Sequence, residues 1–157
     1  MIDNNMCNTT TLCKGNYGIN RKKMPQFTKK TLKKFIKSLR KKNINSRKKK
    51  IHVKNLKATQ NEIYHPAIKD IQKKIKNCKF NPEVIVISKN NHVIDGHHRW
   101  ASVRDCYDNP KLCKTKKKCS KFNPYISTYK IDLDPVNIIK YANKFNGIYN
   151  VDFSEKD

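Results

Sequence analysis

Two short apolar segments joined by a tight turn constrain the fold of this chain most. Residues 84–87 are a β-branched run of strand length, which predicts a strand buried on both faces. The Asn pair at 90–91 predicts a turn, because Asn tolerates left-handed backbone geometry. Residues 93–95 predict a second strand that pairs back, and Gly96 precedes a predicted helix over 97 to about 107. This unit predicts a domain that combines a sheet with helices.

The remaining elements extend this unit to a small α/β (α+β) domain with a mixed sheet. They are a helix over 28–42 with Thr28 as its N-cap, a strand near 51–56, a helix over 66–77, a strand over 125–131 and a helix from Pro135 to before Gly147. We expect a disordered polar arm over 1–23, a basic amphipathic helix and linker over 24–50, the domain itself over 51–147 and a tail over 148–157.

Positive charge is abundant and unevenly placed. The 157 residues carry 36 Lys and Arg against 12 Asp and Glu, which gives a net charge of +24. Residues 4–61 hold 18 of the basic side chains and no carboxylate. Only five of the cations are Arg, and Lys suits nonspecific phosphate attraction better than base readout. The pattern predicts a nucleic-acid partner for the Lys-rich N-terminal region, although A/T-rich codon usage is an alternative source of the Lys.

The sequence also bears on membranes and secretion. No apolar stretch approaches the roughly 18 residues of a membrane span. The first residues have neither the basic region nor the apolar run of a signal peptide. We therefore expect no membrane partner, and an intracellular location (or the virion or host cytoplasm if the protein is viral) rather than secretion.

The segment 95–99, Asp-Gly-His-His-Arg, carries the clearest chemistry. It lies where a predicted strand ends and a predicted helix begins, and the first turn of a helix offers unpaired N–H groups and a positive dipole end. Gly96 lets an anion approach the backbone, while His97, His98 and Arg99 add donors. This arrangement predicts a phosphate, sulfate or carboxylate site. The alternative is an exposed polar turn in which Asp95 is the N-cap.

The sequence over 93–100, Val-Ile-Asp-Gly-His-His-Arg-Trp, strongly resembles the ParB/sulfiredoxin-like superfamily. It is most similar to the ParB-like nuclease branch of phage and viral type. Residues 56–63 also resemble the family's Leu-x-Pro-Thr-Gln-x-Glu segment, and residues 24–26 resemble an entry motif of its viral members. The resemblance implies a ParB/sulfiredoxin-like fold that binds a nucleotide (ATP, ADP or CTP) or a phosphorylated small molecule.

The resemblance also implies roles for individual residues. The predicted catalytic residues are Asp95, His97 and Glu62; the predicted phosphate- or nucleotide-binding residues are Gly96, His98, Arg99 and Gln60; and Asp95 and Glu62 are the predicted Mg²⁺ ligands. His97 stands where sulfiredoxins have Cys, so sulfinic acid reduction is not expected. The Glu of the ParB turn is absent, so CTP switching is not expected, and no acid cluster suits a two-metal nuclease.

The six cysteines carry no zinc-type spacing. We expect free thiols in a reducing compartment. The alternatives are a disulfide between Cys113 and Cys119, or a metal site that includes Cys106.

Two functions remain open from the sequence. One is a nucleotide-dependent hydrolase or phosphotransferase that acts through residues 95–99, which the motif favours. The other is non-enzymatic, sequence-independent nucleic-acid binding or packaging, which the charge favours.

Overall fold

The structure, a computed structural model, describes residues 16–114 and 122–145. The elements are α1 (Lys29–Arg40), β1 (Ser46–His52), α2 (His65–Lys76), β2 (Ile85–Ile87), β3 (Val93–Asp95), α3 (His97–Asp108), β4 (Tyr125–Ile131) and α4 (Pro135–Asn143). Short 3-10 helices lie at Arg21–Lys23, Val53–Asn55 and Pro110–Cys113. The predicted α+β class with a mixed sheet is confirmed. Within the described ranges, none of the helices combines the length and apolarity that crossing a bilayer requires.

The four strands form one sheet in the order β1-β4-β2-β3. Strand β4 is antiparallel to β1 and parallel to β2, and β3 pairs antiparallel with β2. All three residues of β2 are buried, which confirms the predicted burial on both faces. Strand β3 is an edge strand and ends at Asp95, so the 95–99 segment lies at the edge of the sheet.

Helices cover both faces of this sheet. On one face α1 and α4 pack over Val86 and Ile94, with Phe35 and Leu39 of α1 each 1% exposed. On the other face α2 and α3 pack over Ile85 and Ile87. Helix α1 begins at its predicted N-cap, since the Thr28 hydroxyl accepts a hydrogen bond from the Thr31 amide at 3.1 Å.

Residues 24–50 belong to this core rather than to a separate helix and linker. Helix α1 supplies four buried apolar side chains to it. The predicted linker is also wrong from Ser46 onward, because β1 begins there and pairs with β4 over its whole length. Its four consecutive cations hide the strand from a search for alternating apolar residues, and charged side chains suit an edge strand.

The arm predicted over 1–23 is ordered where the structure describes it. The Tyr17 amide donates to the Thr59 carbonyl at 3.0 Å, and Ile19 pairs with Gln60 in a short parallel bridge. Arg21 is only 2% exposed. Residues 16–23 therefore line the domain. Residues 1–15 and the tail over 148–157 lie outside the described residues.

The cysteines differ from expectation as well. Cys106 at the end of α3 forms a disulfide with Cys113 in the following 3-10 helix. Cys78 is also disulfide-bonded. The expected free thiols are wrong for these three residues, and Cys113 does not pair with Cys119. The partner of Cys113 is instead Cys106, at a separation of seven residues.

Candidate functional site

The amino end of α3 is shaped by one glycine. Gly96 is the N-cap residue with φ of 105°, a conformation that side chains rarely adopt. A Cβ at this position would lie 2.4 Å from Cγ2 of Ile85 on β2. The first turn of the helix contains no acid. The first turn of a helix presents backbone N–H groups and the positive end of the helix dipole, and both favour an anion there.

Asp95 does not cap the helix, contrary to one of the sequence alternatives. Its Oδ2 accepts a hydrogen bond from the Phe27 amide at 3.1 Å, which ties the entry to α1 to the end of β3. Its Oδ1 lies 3.9 Å from Nη2 of Arg99. Nη1 of Arg99 lies 3.7 Å from a Glu83 carboxylate oxygen. The two carboxylates orient the guanidinium at distances longer than the 2.7–2.9 Å of a charge-assisted hydrogen bond.

Nε2 of His97 and Nε2 of His98 each accept a hydrogen bond from a backbone amide. Nε2 of His97 accepts from the Thr59 amide at 3.0 Å, and Nε2 of His98 accepts from the Tyr64 amide at 3.0 Å. An accepting nitrogen carries no proton, so a hydrogen bond from either ring to a phosphate would come from Nδ1. Both rings fix the 59–64 loop against α3.

His97 is also unsuited to protonation. It is 4% exposed. Burial, together with the charges of His98 and Arg21, lowers the pKa of His97 well below its ordinary value of 6.5. The ring is therefore neutral at physiological pH, and its Nε2 is committed to the backbone. This geometry lets His97 position the 59–64 loop, and its predicted acid–base role stays a prediction.

A cavity of about 250 Å³ lies at this end of α3. It is lined by the predicted residues Gln60, Asp95, Gly96, His97, His98 and Arg99, and also by Arg21, Gln26, Ala67, Asp70 and Ile71. The structure thus brings six of the seven predicted site residues to one cavity. Arg21 and Asp70 were missed, because one lies in the predicted arm and the other on a helix with no motif of its own.

Glu62 is the predicted residue that does not line the cavity. Its Oε1 accepts from the Arg21 amide at 3.2 Å, while its backbone carbonyl accepts from Nε2 of Gln60 at 2.7 Å. Gln60 is 2% exposed and held in place by this bond. Glu62 therefore supports the segment that carries Arg21 and Gln60.

Asp95 and Glu62, the predicted Mg²⁺ ligands, accept hydrogen bonds from different backbone amides, and only Asp95 lines the cavity. Within residues 16–114 and 122–145, no cluster of three His, Cys, Asp or Glu side chains is arranged to hold a metal. The carboxylates that share the cavity are Asp70 and Asp95.

A second hollow of about 200 Å³ adjoins the cavity, because Asp95 and Arg99 line both. Its walls include Phe27, Leu32 and Tyr129. Lys29, Lys33 and Lys48 stand around it. An apolar hollow beside a polar cavity suits a ligand with one flat apolar end and one anionic end.

No protein family, curated protein or solved structure matches this chain. The resemblance to the ParB/sulfiredoxin-like superfamily rests on the sequence of residues 24–26, 56–63 and 93–100 alone.

Proposed function

We propose that this chain is a ParB/sulfiredoxin-like domain that binds the phosphates of a nucleotide at the amino end of α3. The observation that carries the proposal is the meeting of the amino end of α3 with two arginines in one cavity. The whole chain contains only five Arg, and Arg21 and Arg99 are two of them. A guanidinium group can donate two parallel hydrogen bonds to the oxygens of one phosphate. The placement of Arg21 and Arg99 in the cavity therefore favours a phosphate ligand.

The proposed ligand has a sugar and a base as well as its phosphates. The cavity holds the phosphates, and the adjoining hollow between Phe27 and Tyr129 receives the sugar or base. ATP, ADP and CTP are the candidate nucleotides, and a phosphorylated small molecule would use the same cavity. With Asp95 beside the phosphates as the candidate catalytic residue, the reaction class is nucleotide-dependent hydrolysis or phosphoryl transfer.

Mg²⁺ is the proposed cofactor of such a reaction. The ion binds nucleotides through phosphate oxygens and keeps several waters, so one or two protein carboxylates complete its shell. Asp95 and Asp70 are the carboxylates placed to do so.

Binding of ATP, ADP and CTP by isothermal titration calorimetry tests the proposal. We expect Arg99→Ala to weaken binding by about 1.5–3 kcal/mol, the range for a hydrogen bond to a charged group. Arg104→Ala is the matched control, since Arg104 lies on the same helix but pairs with Asp108 at 2.9 Å. Equal affinity of the Arg99 variant and wild type would contradict the site.

A second function is favoured by the surface charge. Helix α1 exposes six cations and β1 exposes four, all within the Lys-rich N-terminal region. We propose sequence-independent binding of nucleic acid through this region as the alternative to catalysis. Strong salt dependence, equal for unrelated sequences, is the expected result, and salt-independent binding would contradict it.

A further inference from the structure

A basic groove runs along β1 and β4 at one edge of the sheet, away from the cavity. Arg47 and Lys49 lie on the same face of β1 as Ile51, which packs with α2 and α3. Lys130 of β4 lies directly opposite Arg47. Lys89 stands at one end of this face, and Lys57 lies across from β1.

Two hollows make the groove continuous. One, of about 370 Å³, is lined by Arg47, Lys89 and Lys130, and the other, of about 710 Å³, by Lys49 and Lys57. Nζ of Lys130 in the first donates to Oδ1 of Asn91 in the second at 3.0 Å, so the hollows adjoin.

The charge of the groove is nearly of one sign. Among the described residues that line the two hollows, Asp132 is the only carboxylate. Partial desolvation, together with Lys49 and Arg47, lowers the pKa of Lys130 from its ordinary value. Cations held this close repel one another, and a polyanion would relieve the repulsion.

Aromatic rings lie at the far end of the groove. Tyr125 lines the second hollow and is 53% exposed. Because it pairs with His52, its side chain leaves the sheet on the face opposite Lys49, and the groove reaches it around the end of the two strands. The ring of His52 lies 5.1 Å from that of Tyr125 and 4.6 Å from that of Tyr107, which is also exposed. An exposed tyrosine supported by a second ring is a stacking surface for a flat ligand.

We infer that this groove binds single-stranded nucleic acid, with phosphates along Arg47, Lys49 and Lys130 and a base stacked on Tyr125. Cations that follow the backbone and aromatic rings that stack bases are the combination that single strands require. A duplex keeps its bases paired and offers none to Tyr125. The seven residues of β1 span roughly 23 Å, enough for a few nucleotides. The inference specifies the second function proposed above and is independent of the nucleotide cavity.

Fluorescence anisotropy with dT12, U12 and a 12-base-pair duplex tests the groove. We expect the full chain to bind the single strands more tightly than the duplex. The triple variant Arg47→Gln/Lys49→Gln/Lys130→Gln should lose about 2 in the slope of log K against log salt, which corresponds to about 100-fold weaker binding at 0.1 M salt. Tyr125→Ala should weaken binding by about 5- to 100-fold, and Tyr125→Phe should restore it.

The comparison variant is Lys30→Gln/Lys34→Gln/Lys37→Gln, which removes the same charge from the exposed face of α1. A clearly smaller loss of affinity for this variant than for the groove variant supports the groove. If it loses as much affinity as the groove variant, or if the duplex binds more tightly than dT12, the groove inference is overturned while the second function stands. If the wild-type chain binds none of the three probes, both are overturned.

Discussion

The cavity at the amino end of α3 and the basic groove along β1 both collect cations, but they hold them differently. In the cavity Arg21 is almost fully buried, and the Arg99 guanidinium lies between two carboxylates. In the groove Arg47 and Lys49 are exposed, and one carboxylate accompanies the cations. A site with fixed donors selects a ligand by geometry, whereas an exposed row of charge attracts any polyanion.

The cavity and the groove also differ in how firmly their surroundings are held. Around the cavity the 59–64 loop is fixed by His97 and His98, and the turn at Gly96 has no room for another atom. Along the groove the side chains of Arg47 and Lys49 are long and exposed. Substitutions near the cavity should therefore change stability or chemistry, and those in the groove should change affinity for polyanions alone.

The largest expected effect is on turnover. If a nucleotide is hydrolysed or its phosphate transferred, Asp95→Asn should lower the rate by about 10²–10⁴-fold, because the amide cannot accept a proton. Glu62→Gln serves as the comparison, since Glu62 does not line the cavity and should keep most of the rate. Steady-state phosphate release on folded variants measures both. Full activity of Asp95→Asn would remove Asp95 from the chemistry.

Gly96→Ala should be the most destabilising substitution at the cavity. The left-handed φ costs about 1–3 kcal/mol, and the overlap with Ile85 adds about 1–3 kcal/mol. Gly18→Ala is the matched control, because Gly18 has φ of 67° but no atom within 4 Å of the added Cβ. Urea unfolding should therefore show a clearly larger loss for Gly96→Ala. Equal losses of unfolding free energy in the two variants would mean that Ile85 moves to make room for the added methyl group.

His97 should make the stability of the fold depend on pH. Its pKa is lowered in the folded state, so the unfolded chain takes up a proton first as the pH falls through about 6.5. The stabilisation is complete above that pH and is lost below it, by about 1.4 kcal/mol per pH unit. His97→Gln should flatten this slope in urea unfolding between pH 7 and pH 5. An unchanged slope would show that His97 is protonated equally in both states.

The smallest effect is expected in the groove. Arg47→Gln/Lys49→Gln should change the free energy of unfolding by less than about 0.5 kcal/mol, because both side chains are exposed and lose only mutual repulsion. Thermal and urea unfolding of the double variant measure this. A loss above about 1 kcal/mol would show that these cations are part of the packing, and the contrast with the cavity would fail.

Sequence reasoning located the cavity better than the groove. The turn at 95–99 combines a strand end, a glycine and a helix start, and each has a local signal. Arg21 has no such signal, since its burial depends on the distant pairing of Ile19 with Gln60. The first five residues of β1, before the strand predicted near 51–56, were missed because their partner β4 lies about 80 residues away and Ile51 is the one buried side chain of β1.

The hydrogen bonds of the two histidines could not be predicted from the sequence for a related reason. Their presence at the helix start is visible in the sequence, but the hydrogen-bonding state of each ring depends on which backbone group faces it. The amides of Thr59 and Tyr64 face Nε2 of His97 and His98 and make both rings acceptors.

The assignment of two separate sites is tested most directly by amide chemical shifts in an ¹H–¹⁵N spectrum of the full chain. Titration with ATP should move the amides of residues 96–99 and leave those of 47–50 and 128–130 in place. Titration with dT12 should move the second group and leave the first. If ATP moves the amides of 47–50 and leaves 96–99 unchanged, the chain has one nonspecific basic surface and the cavity at α3 is not a nucleotide site.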